Sequence, residues 1–510
     1  MIQDFLFFMN GETHQGATMI TRPPIVVIMG HIDHGKTTLL DFIRSSNVAI
    51  GEAGHITQHI GAYEVERNGH RITFLDTPGH ELFSRMRERG ARVADIAVIV
   101  VAADEGVKPQ TAEAIRAAKE AGIPFLVALN KIDRPEADAN RVKGELAEHD
   151  VLVEGWGGNV PIAELSAKTG AGVPELLDLI LLASEMEELV ASPDSAGSGV
   201  VIESHRDRKR GVVATLLIKN GTIRKGDWIQ SGAEYATIRV MENSDGNIIE
   251  SVSFSSPVQV LGFSLPPSVG DAFQIYMGKK QAEEAAKRSI VPAVVSTNVG
   301  EPVVQEGGMV VPLIIKADVA GSREALEGEI TKVSSGLFVI KVLRSDIGDI
   351  ADDDVKTASG LPGSIIIGFK VKVSSSAETL AQRYGITIHT ANIIYELLDW
   401  FRIELERRIP KQRARTEIGA LQVLRVFKKE GKSIVFGGKV VRGVVKKDAL
   451  FEVKHGEEVL GSGTITNVQQ SKMDVKEVAA GSECGIAATF SGRMIAGDVI
   501  DIFEEDEAQS

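Results

Sequence analysis

The chain of 510 residues carries a net charge of -14 and a single cysteine, with 43% hydrophobic and 25% charged residues. This length and composition predict a globular protein of about three or four domains, while the acidic charge excludes a general nucleic-acid coat, because non-specific phosphate binding needs a positive field. One cysteine excludes an internal disulfide and fits a reducing cytoplasm. No apolar run reaches the roughly 18 residues that would span a bilayer. We therefore expect a cytoplasmic protein, and we expect it to bind neither membranes nor DNA.

The first motif along the chain is a phosphate-binding loop. GHIDHGKT, residues 30–37, follows the apolar run 25–29 and precedes a helical pattern over residues 38–43. Strand, glycine-bounded loop and helix form the context in which GxxxxGK[ST] indicates phosphate binding. The alternative is a chance glycine-rich turn, which the flanking strand and helix disfavour. The predicted phosphate contacts are Gly30, Asp33, His34, Gly35, Lys36, Thr37 and Thr38, with the Thr37 hydroxyl also on magnesium.

A second motif ends the strand that follows a predicted hairpin at Asn68-Gly69. DTPGH, residues 76–80, places an acid at the carboxyl end of a strand beside the loop. Asp76 is therefore predicted to hold magnesium through water, and the N–H of Gly79 to reach a γ phosphate. Asp-Thr-Pro-Gly, residues 76–79, is also an ordinary turn sequence. Its occurrence together with the first motif favours the nucleotide site.

Two further motifs follow apolar runs that indicate buried parallel strands, residues 96–101 and 125–129 among them. The second run ends in NKID, residues 130–133, where a carboxylate accepts both the ring N–H and the exocyclic amine of guanine. Asp133 is therefore the predicted base selector. SAK, residues 166–168, suits contact with the guanine carbonyl. The remaining predicted nucleotide residues are Asn130, Lys131, Ser166, Ala167 and Lys168, and the order of motifs predicts GTP and GDP as ligands.

The motif set resembles that of translational GTPases. GEAGHITQHIGAYEV and FLDTPGHELFSRMRERGARVADIAVIVVAADEGVKPQT are similar to the bacterial translation initiation factor two family. The resemblance implies that Thr57 binds magnesium with Thr37 and Asp76, that His80 orients the attacking water, and that Ile32 and Ile56 form an apolar gate beside it. His55 departs from the glycine usual in the family.

The predicted chemistry depends on a partner. Phosphoryl transfer requires charge neutralisation and an aligned water, which magnesium, Lys36 and His80 provide. No arginine finger is evident in the sequence, so hydrolysis is predicted to be slow alone and stimulated by the large ribosomal subunit, as the resemblance implies. Two alternatives are an elongation-type tRNA carrier GTPase, disfavoured by the α/β domain described next, and a non-hydrolysing GTP-dependent ribosome-binding module.

The rest of the chain predicts β, α/β and β domains in order. Short alternating segments after the linker 191–199 indicate a first β-barrel, and NGTIRKGDWI at residues 220–229 is echoed by RGVVKKDALF at residues 442–451, which predicts a second barrel. The basic cluster 205–210 has two open interpretations, contact with ribosomal RNA or a solvated hairpin tip. LIIKADVAGS at residues 313–322 begins an α/β layer domain that resembles the third domain of the same family, with a mechanical role.

A helix follows with one apolar stripe and a charged opposite face, predicted to be solvated and to serve as a strut between domains. Its predicted stripe is Ile394, Leu397, Leu398, Phe401 and Leu405. The predicted divisions are a short segment 1–21, a P-loop GTPase domain 22–190, a β-barrel 198–290, an α/β domain 298–393, the helix 394–415, a second barrel 416–503 and an acidic tail 504–510.

The second barrel contains the region that the family uses for the formylmethionyl end of initiator tRNA. Phe427, Glu483, Cys484 and Gly485 match it, although a lone cysteine is more often plain core. Gly438 stands where a second cysteine is common, and residues 469–471 replace a basic and aromatic trio, which predicts weaker tRNA binding.

The predicted partners are both ribosomal subunits and initiator tRNA, with binding of other initiation factors left open. The predicted protein is a monomeric form of the family that lacks its long N-terminal region.

Overall fold

The computed structural model describes residues 18–44, 61–79, 81–207, 209–289, 309–333, 338–408, 414–456 and 458–506. The chain divides into two compact units, Met1–Leu405 and Glu406–Ser510. None of the helices in these described ranges is long and apolar enough to cross a membrane.

The first sheet has six strands in the order β3-β4-β2-β5-β6-β7, parallel throughout except for the β3–β4 hairpin. Every residue of the central strands β2 and β5 is buried, as their continuous apolar runs predict. The strands are β1 (Ile20–Thr21), β2 (Ile25–Gly30), β3 (Gly61–Arg67), β4 (His70–Asp76), β5 (Ile96–Ala102), β6 (Phe125–Asn130), β7 (Ile162–Glu164) and β8 (Val190–Ala191), of which β1 and β8 pair separately. The helices are α1 (Lys36–Arg44), α2 (Ser84–Val93), α3 (Pro109–Ala121), α4 (Ala139–Glu148) and α5 (Val173–Met186).

Alternate residues of β2 divide between two cores. Val27 and Met29 pack with residues of α2, α3 and α4, whereas Val26 and Ile28 pack with residues of α1 and α5. Helices therefore cover both faces of the sheet, and the carboxyl ends of its parallel strands share one edge. In doubly wound folds this edge binds ligands, and all the predicted nucleotide motifs follow its strands.

The next domain is an antiparallel sheet of seven strands in the order β13-β12-β17-β9-β10-β16-β14, with a separate ribbon of β11 and β15. Only residues 238 and 239 separate β13 from β14, so one stretch of chain pairs with β12 at its start and with β16 at its end and thereby joins the two edges of the sheet, in agreement with the predicted first barrel. Its elements are β9 (Ser198–Asp207), β10 (Gly211–Asn220), β11 (Thr222–Arg224), β12 (Trp228–Ser231), β13 (Glu234–Thr237), β14 (Val240–Glu242), β15 (Ser251–Ser253), β16 (Pro257–Leu261), β17 (Ala272–Tyr276) and α6 (Lys279–Ser289).

The basic cluster 205–210 lies at the tip of the β9–β10 hairpin. The carboxylate of Asp207 accepts hydrogen bonds from the backbone N–H groups of Lys209 and Arg210, at 2.7 and 2.8 Å. The Arg210 guanidinium is 2.6 Å from a carboxylate oxygen of Glu242. Part of the cluster's positive charge is thus neutralised by a carboxylate on β14 of the same domain, and both interpretations of the cluster stay open.

A buried ion cluster joins the first two domains. The Arg22 guanidinium donates to both carboxylate oxygens of Asp95, at 2.6 and 2.7 Å, and the Lys219 ammonium donates to the same carboxylate at 2.9 Å. Burial alone would raise the pKa of Asp95, but the hydrogen bonds and charges of Arg22 and Lys219 outweigh it and hold the pKa below its usual value. The Asp95 carboxylate thus forms an ion pair with Lys219, which lies 124 positions further along the chain.

Asp95→Asn is expected to lower the free energy of unfolding by about 3 kcal/mol at neutral pH, because it leaves the buried Arg22 guanidinium and the half-buried Lys219 ammonium without their anion. A carboxylate with a depressed folded pKa stabilises above its unfolded pKa of about 3.9 and loses this contribution as pH falls through the folded pKa. The difference between the two proteins should therefore narrow below about pH 4 in urea titrations. Asp178→Asn, in an exposed pair with Arg67, is the control and should change little. A difference that is independent of pH would contradict the assignment.

The α/β domain has four parallel strands in the order β19-β18-β20-β21. The helix α8 and the strand β21 were not predicted. Both are short, so too few apolar residues recur in either of them to reveal a helical or an alternating pattern. The carboxylate of Asp354 in α8 accepts from the Ala351 N–H at 2.9 Å, which caps that helix. The elements are β18 (Met309–Ala317), α7 (Ala320–Val333), β19 (Phe338–Ile347), α8 (Asp352–Ser359), β20 (Ile365–Phe369), α9 (Ser375–Tyr384), β21 (Thr387–Ala391) and α10 (Ile394–Arg408).

The long helix α10 confirms the predicted stripe. Its buried residues are Ile394, Leu397, Leu398, Phe401 and Leu405. Trp400 on α10 stacks on His389 of β21, with ring centroids 4.0 Å apart. The helix is thus packed against the α/β domain along its apolar face.

The second unit contains a closed β-barrel. Its strands follow the order β22-β29-β24-β25-β28-β23, and pairing of β22 with β23 closes the ring around a core of apolar side chains. The strands are β22 (Ala414–Glu430), β23 (Ser433–Lys446), β24 (Leu450–His455), β25 (Glu458–Gln470), β26 (Met473–Val475), β27 (Glu477–Ala479), β28 (Glu483–Phe490) and β29 (Val499–Asp506).

Candidate nucleotide site

The phosphate-binding loop lies between the end of β2 and the start of α1. A 3-10 turn, Ile32–His34, precedes Gly35, whose φ of 87° lies in the left-handed region. A side chain at Gly35 would also place its Cβ 2.4 Å from the Nδ2 of Asn130. Glycine is therefore required both for the turn and for the close approach, after which the helix begins at Lys36 with its N-terminus facing the loop.

The Lys36 ammonium is folded into the loop and is almost completely buried. Its Nζ donates to the backbone oxygen of His31 at 2.6 Å. Burial lowers the pKa of Lys36 to about 8, although the nearby Asp76 carboxylate acts in the opposite direction. A buried cation of this kind is stabilised by an anion, and nucleotide phosphates supply one.

The His34 side chain packs inside the protein beneath the phosphate-binding loop and is not exposed at its surface. Its side chain is fully buried, and burial lowers its pKa to about 4, so the imidazole is neutral. Its Nδ1 lies 3.3 Å from the Val100 oxygen, which requires the proton on Nδ1. Of the predicted loop contacts, Asp33 and Thr38 are exposed, and Thr37 is half-buried.

Asn130 connects two of the predicted motifs. Its Nδ2 donates to the His34 oxygen at 2.8 Å, and its Oδ1 accepts from the Ala167 N–H at 2.9 Å. The amide thus ties the phosphate-binding loop to the SAK loop, 37 positions along the chain. The sequence placed Asn130 in the site but carried no signal for this bridging role, because the two partners belong to different motifs.

Asp133 lies where the guanine base is expected. Its Oδ1 accepts from the Ser166 hydroxyl at 2.7 Å, and this hydrogen bond is the main cause that holds the Asp133 pKa below its usual value. The carboxylate is therefore ionised and oriented at the surface. Lys131 has a positive φ of 64° and pairs with Glu105 at 2.9 Å, while Lys168 is exposed.

Two of the three residues predicted to hold magnesium, Thr37 and Asp76, lie within the described residues. Asp76 is a buried carboxylate at the end of β4, close enough to Lys36 to influence its pKa, and Thr37 opens the helix beside it. Hard oxygen donors beside a phosphate site fit magnesium, which usually retains waters and substrate phosphates as further ligands. Thr57, Ile56, His55 and His80 lie outside the described residues.

Ile32, which is predicted to form part of the apolar gate, adjoins the second motif. A Cβ at Gly79 would lie 2.2 Å from the Lys36 Nζ and 3.2 Å from the Ile32 Cα. Gly79 therefore abuts the phosphate-binding loop, and a side chain at this position would displace the Lys36 ammonium.

The helix α2, which follows this motif, also contacts the α/β domain. The Arg89 guanidinium is 2.9 Å from a Glu324 oxygen, and Arg85 is 3.4 Å from the other. This link could not be predicted from local sequence patterns, since the partners are 235 positions apart.

The predicted tRNA residues divide between the two sides of the second barrel's wall. Phe427 is 62% exposed, and its ring lies against Gly437, which pairs in register with Gly485. The Cys484 side chain points the other way into the core, where burial raises its pKa to about 11. Glu483 is exposed opposite Lys439. The outer surface thus consists of Phe427 and the two glycines rather than the thiol.

The two departures from the family have local structural reasons. A Cβ at Gly438 would meet the Leu421 Cδ2 at 2.2 Å, so Leu421 occupies the space of a side chain there. The Gln469 amide donates to the Asp474 carboxylate at 2.7 Å across the β25–β26 turn. This glutamine is therefore held within the barrel's own hydrogen bonds.

The fold and the loop arrangement define a GTP-binding protein of the translational class. The family model described as Elongation factor Tu GTP binding domain matches residues 21–185, Elongation factor G domain 2 matches residues 196–275, and Translation-initiation factor 2 matches residues 286–402. Translation initiation factor IF-2 of Rubrobacter xylanophilus is 41% identical over 495 residues, which cover 95% of this chain and 72% of that protein. The chain belongs to the translation initiation factor IF-2 family.

Two further proteins are similar. Translation initiation factor IF-2 of a Synechocystis species is 43% identical over 507 residues, and the match covers 95% of this chain and 50% of that protein. The GDP-bound aIF5B of Aeropyrum pernix, a solved structure, has 27% identity and a TM-score of 0.47, with 95% of this chain and 92% of that chain covered. The family and the fold class predicted from the sequence are confirmed, and the chain spans about half the length of the Synechocystis relative.

Proposed function

We propose that this chain hydrolyses GTP to time translation initiation, promoting the binding of initiator formylmethionyl-tRNA to the small ribosomal subunit and the joining of the two subunits. The observation that carries this proposal is a 41% identity to an IF-2 protein over 95% of the chain, which includes both the nucleotide site and the second barrel. The protein acts as a monomer in the cytoplasm, and other initiation factors are candidate partners on the ribosome.

The nucleotide end of the mechanism follows from the residues of the site. The loop N–H groups and the Lys36 ammonium bind the phosphates, while the Asp133 carboxylate accepts the two guanine N–H donors that adenine lacks. Thr37, Thr57 and, through water, Asp76 would hold magnesium, which neutralises phosphate charge when bound. The Gly79 N–H, beside Lys36, donates to the γ phosphate.

His80 is proposed to orient the attacking water, with Ile32 and Ile56 as the apolar gate. Because no sequence motif marks an arginine finger, the free protein is proposed to hydrolyse GTP slowly, and the large ribosomal subunit to accelerate the reaction by placing His80. The α/β domain and α10 act mechanically, since Glu324 of α7 forms an ion pair with Arg89 of α2, the helix that follows the DTPGH motif.

The tRNA end of the mechanism uses the outer face of the second barrel. Phe427 offers an exposed aromatic surface, and the paired Gly437 and Gly485 beside it leave room for a flat group. The methionyl end of initiator tRNA fits such a surface through apolar contact. Glu483 is proposed as a polar neighbour, and Cys484 contributes from the core by supporting the strand.

The test is single-turnover GTP hydrolysis with and without ribosomes. His80→Ala is expected to lose at least about a hundredfold of the ribosome-stimulated rate, within the range of general acid–base and positioning effects, and to keep GTP binding. His70→Ala, an exposed histidine at the β3–β4 turn, is the matched control and should hydrolyse normally. Equal rates with and without ribosomes would instead favour a non-hydrolysing binding module. A second measurement compares how much formylated and how much unformylated initiator tRNA the protein retains on small ribosomal subunits. A preference for the formylated form is expected of an initiation factor and not of an elongation-type carrier.

A further inference from the structure

Arg87 is a charged side chain buried beside Pro78 and Gly79, and it has no role in the proposed hydrolysis. It lies on α2 and is 1% exposed, the largest fully buried side chain among the described residues. Its Nη2 donates to both carboxylate oxygens of Glu113 on α3, at 2.8 and 2.9 Å. A buried ion pair contributes little net stability compared with apolar side chains of similar size, so its presence calls for another reason.

Besides Glu113 and the Ser84 hydroxyl, Arg87 contacts the backbone of the second nucleotide motif. Its Nη1 donates to the backbone oxygen of Pro78 at 3.1 Å. That carbonyl belongs to the peptide unit that links Pro78 to Gly79. The described residues contain no cis peptide bond, so the Gly79 N–H points away from the Pro78 oxygen. A guanidinium that fixes the carbonyl therefore also fixes the direction of the N–H.

The neighbours of this peptide unit leave it little other freedom. The Thr77 hydroxyl donates to the Ile28 oxygen at 2.9 Å, which anchors the preceding residue to β2. The ring of Pro78 restricts its own φ. On the other side, Gly79 lies so close to the Lys36 ammonium that a Cβ would be 2.2 Å from Nζ. With the oxygen held by Arg87 of α2, the N–H points away from that guanidinium, and the Lys36 ammonium lies close to Gly79.

We propose that Arg87 is a positioning residue that holds the Pro78–Gly79 peptide unit in the orientation that accepts a γ phosphate, and that it thereby sets the preference of the site for GTP over GDP. The Glu113 carboxylate neutralises the charge of the guanidinium, whereas the contact with the Pro78 oxygen fixes the peptide unit. This inference rests on the proposed function, in which the Gly79 N–H binds the γ phosphate. GDP has no γ phosphate, so its affinity does not depend on this peptide.

The test compares the affinities of the full chain for GDP and for a non-hydrolysable GTP analogue. Arg87→Lys retains a cation for Glu113 but cannot donate to the carboxylate and the Pro78 oxygen together. The double variant Arg87→Met, Glu113→Leu replaces the ion pair by apolar side chains and so protects the fold. Both variants are expected to lose about tenfold in affinity for the analogue, the value of one hydrogen bond from a charged donor, and to bind GDP within about twofold of the unsubstituted protein.

Glu113→Gln is the matched control, because it alters the same buried pair but keeps the Arg87 contact with Pro78. Its analogue-to-GDP affinity ratio should stay within about twofold of the unsubstituted protein. The proposal is overturned if the Arg87 variants lose affinity for both nucleotides equally, if their ratio does not change, or if Glu113→Gln lowers the ratio as much as they do. If the unsubstituted chain binds neither nucleotide, the proposed function fails as well, which is a separate result.

Discussion

Asp133→Asn is expected to lower the affinity for GTP about a thousandfold or more and to transfer that affinity to xanthosine triphosphate. A carboxylate accepts two N–H groups of guanine, whereas an amide offers one acceptor and one donor, which matches xanthine, where a carbonyl replaces the exocyclic amine. A site built to hydrogen-bond its ligand rejects a mismatched one strongly, because buried polar groups are then left unpaired. Equilibrium titration with both nucleotides measures the exchange.

The control for this experiment is Ser166→Ala. It removes the hydroxyl that donates to Asp133 at 2.7 Å but leaves the carboxylate in place. The loss of one such hydrogen bond should weaken GTP binding about fivefold to tenfold without any gain for xanthosine triphosphate. Asp133 is not the base selector if Asp133→Asn binds GTP normally, or if it fails to gain affinity for the xanthine nucleotide.

Lys36→Met is expected to reduce the affinity for GTP and GDP by about a hundredfold or more while the melting temperature of the nucleotide-free protein stays the same or rises. Two charge-assisted hydrogen bonds to phosphates account for a loss of this size. The melting temperature behaves differently because the ammonium is desolvated in the free site, where burial holds its pKa at about 8. An apolar side chain of similar length avoids that cost.

The matched control is Lys119→Met. That lysine also donates to backbone oxygens, those of His149 and Asp150 at 3.3 and 3.2 Å, but it lies on α3 outside the nucleotide motifs. Its nucleotide affinities should not change. Calorimetric titration and thermal unfolding of the same samples separate the two effects. A fall of the melting temperature in Lys36→Met, together with weaker binding, would mean that the lysine supports the loop rather than the ligand.

Both predictions concern residues that the sequence identified by itself. The strand, loop and helix around residues 30–37 follow from local periodicity and glycine placement, and Asp133 follows from a motif at a strand end. The apolar stripe of α10 is likewise a property of consecutive turns, and it is buried as predicted. These features are local, since each depends on residues within a few turns or strand pairs of one another.

Other features were decided by tertiary structure. Asn130 bridges two loops, Arg87 holds the Pro78 oxygen from a neighbouring helix, and Asp95 ties Arg22 to Lys219. Each contact joins residues that adjoin only after helices pack on the sheet or domains meet. No period in the sequence specifies which side chain will face which neighbour across such a junction.

The two β domains show the same limit in strand pairing. The sequence predicted two barrels of one kind, but it did not show how the edges of each sheet meet: β22 pairs with β23, whereas in the first β domain the consecutive strands β13 and β14 pair with β12 and β16 at the two edges. Strand register also decided that Gly485 faces outward beside Phe427 while Cys484 faces the core, because successive side chains in a strand point to opposite faces. The sequence by itself determined the nucleotide chemistry and the order of domains, and tertiary packing decided which side chains support that chemistry.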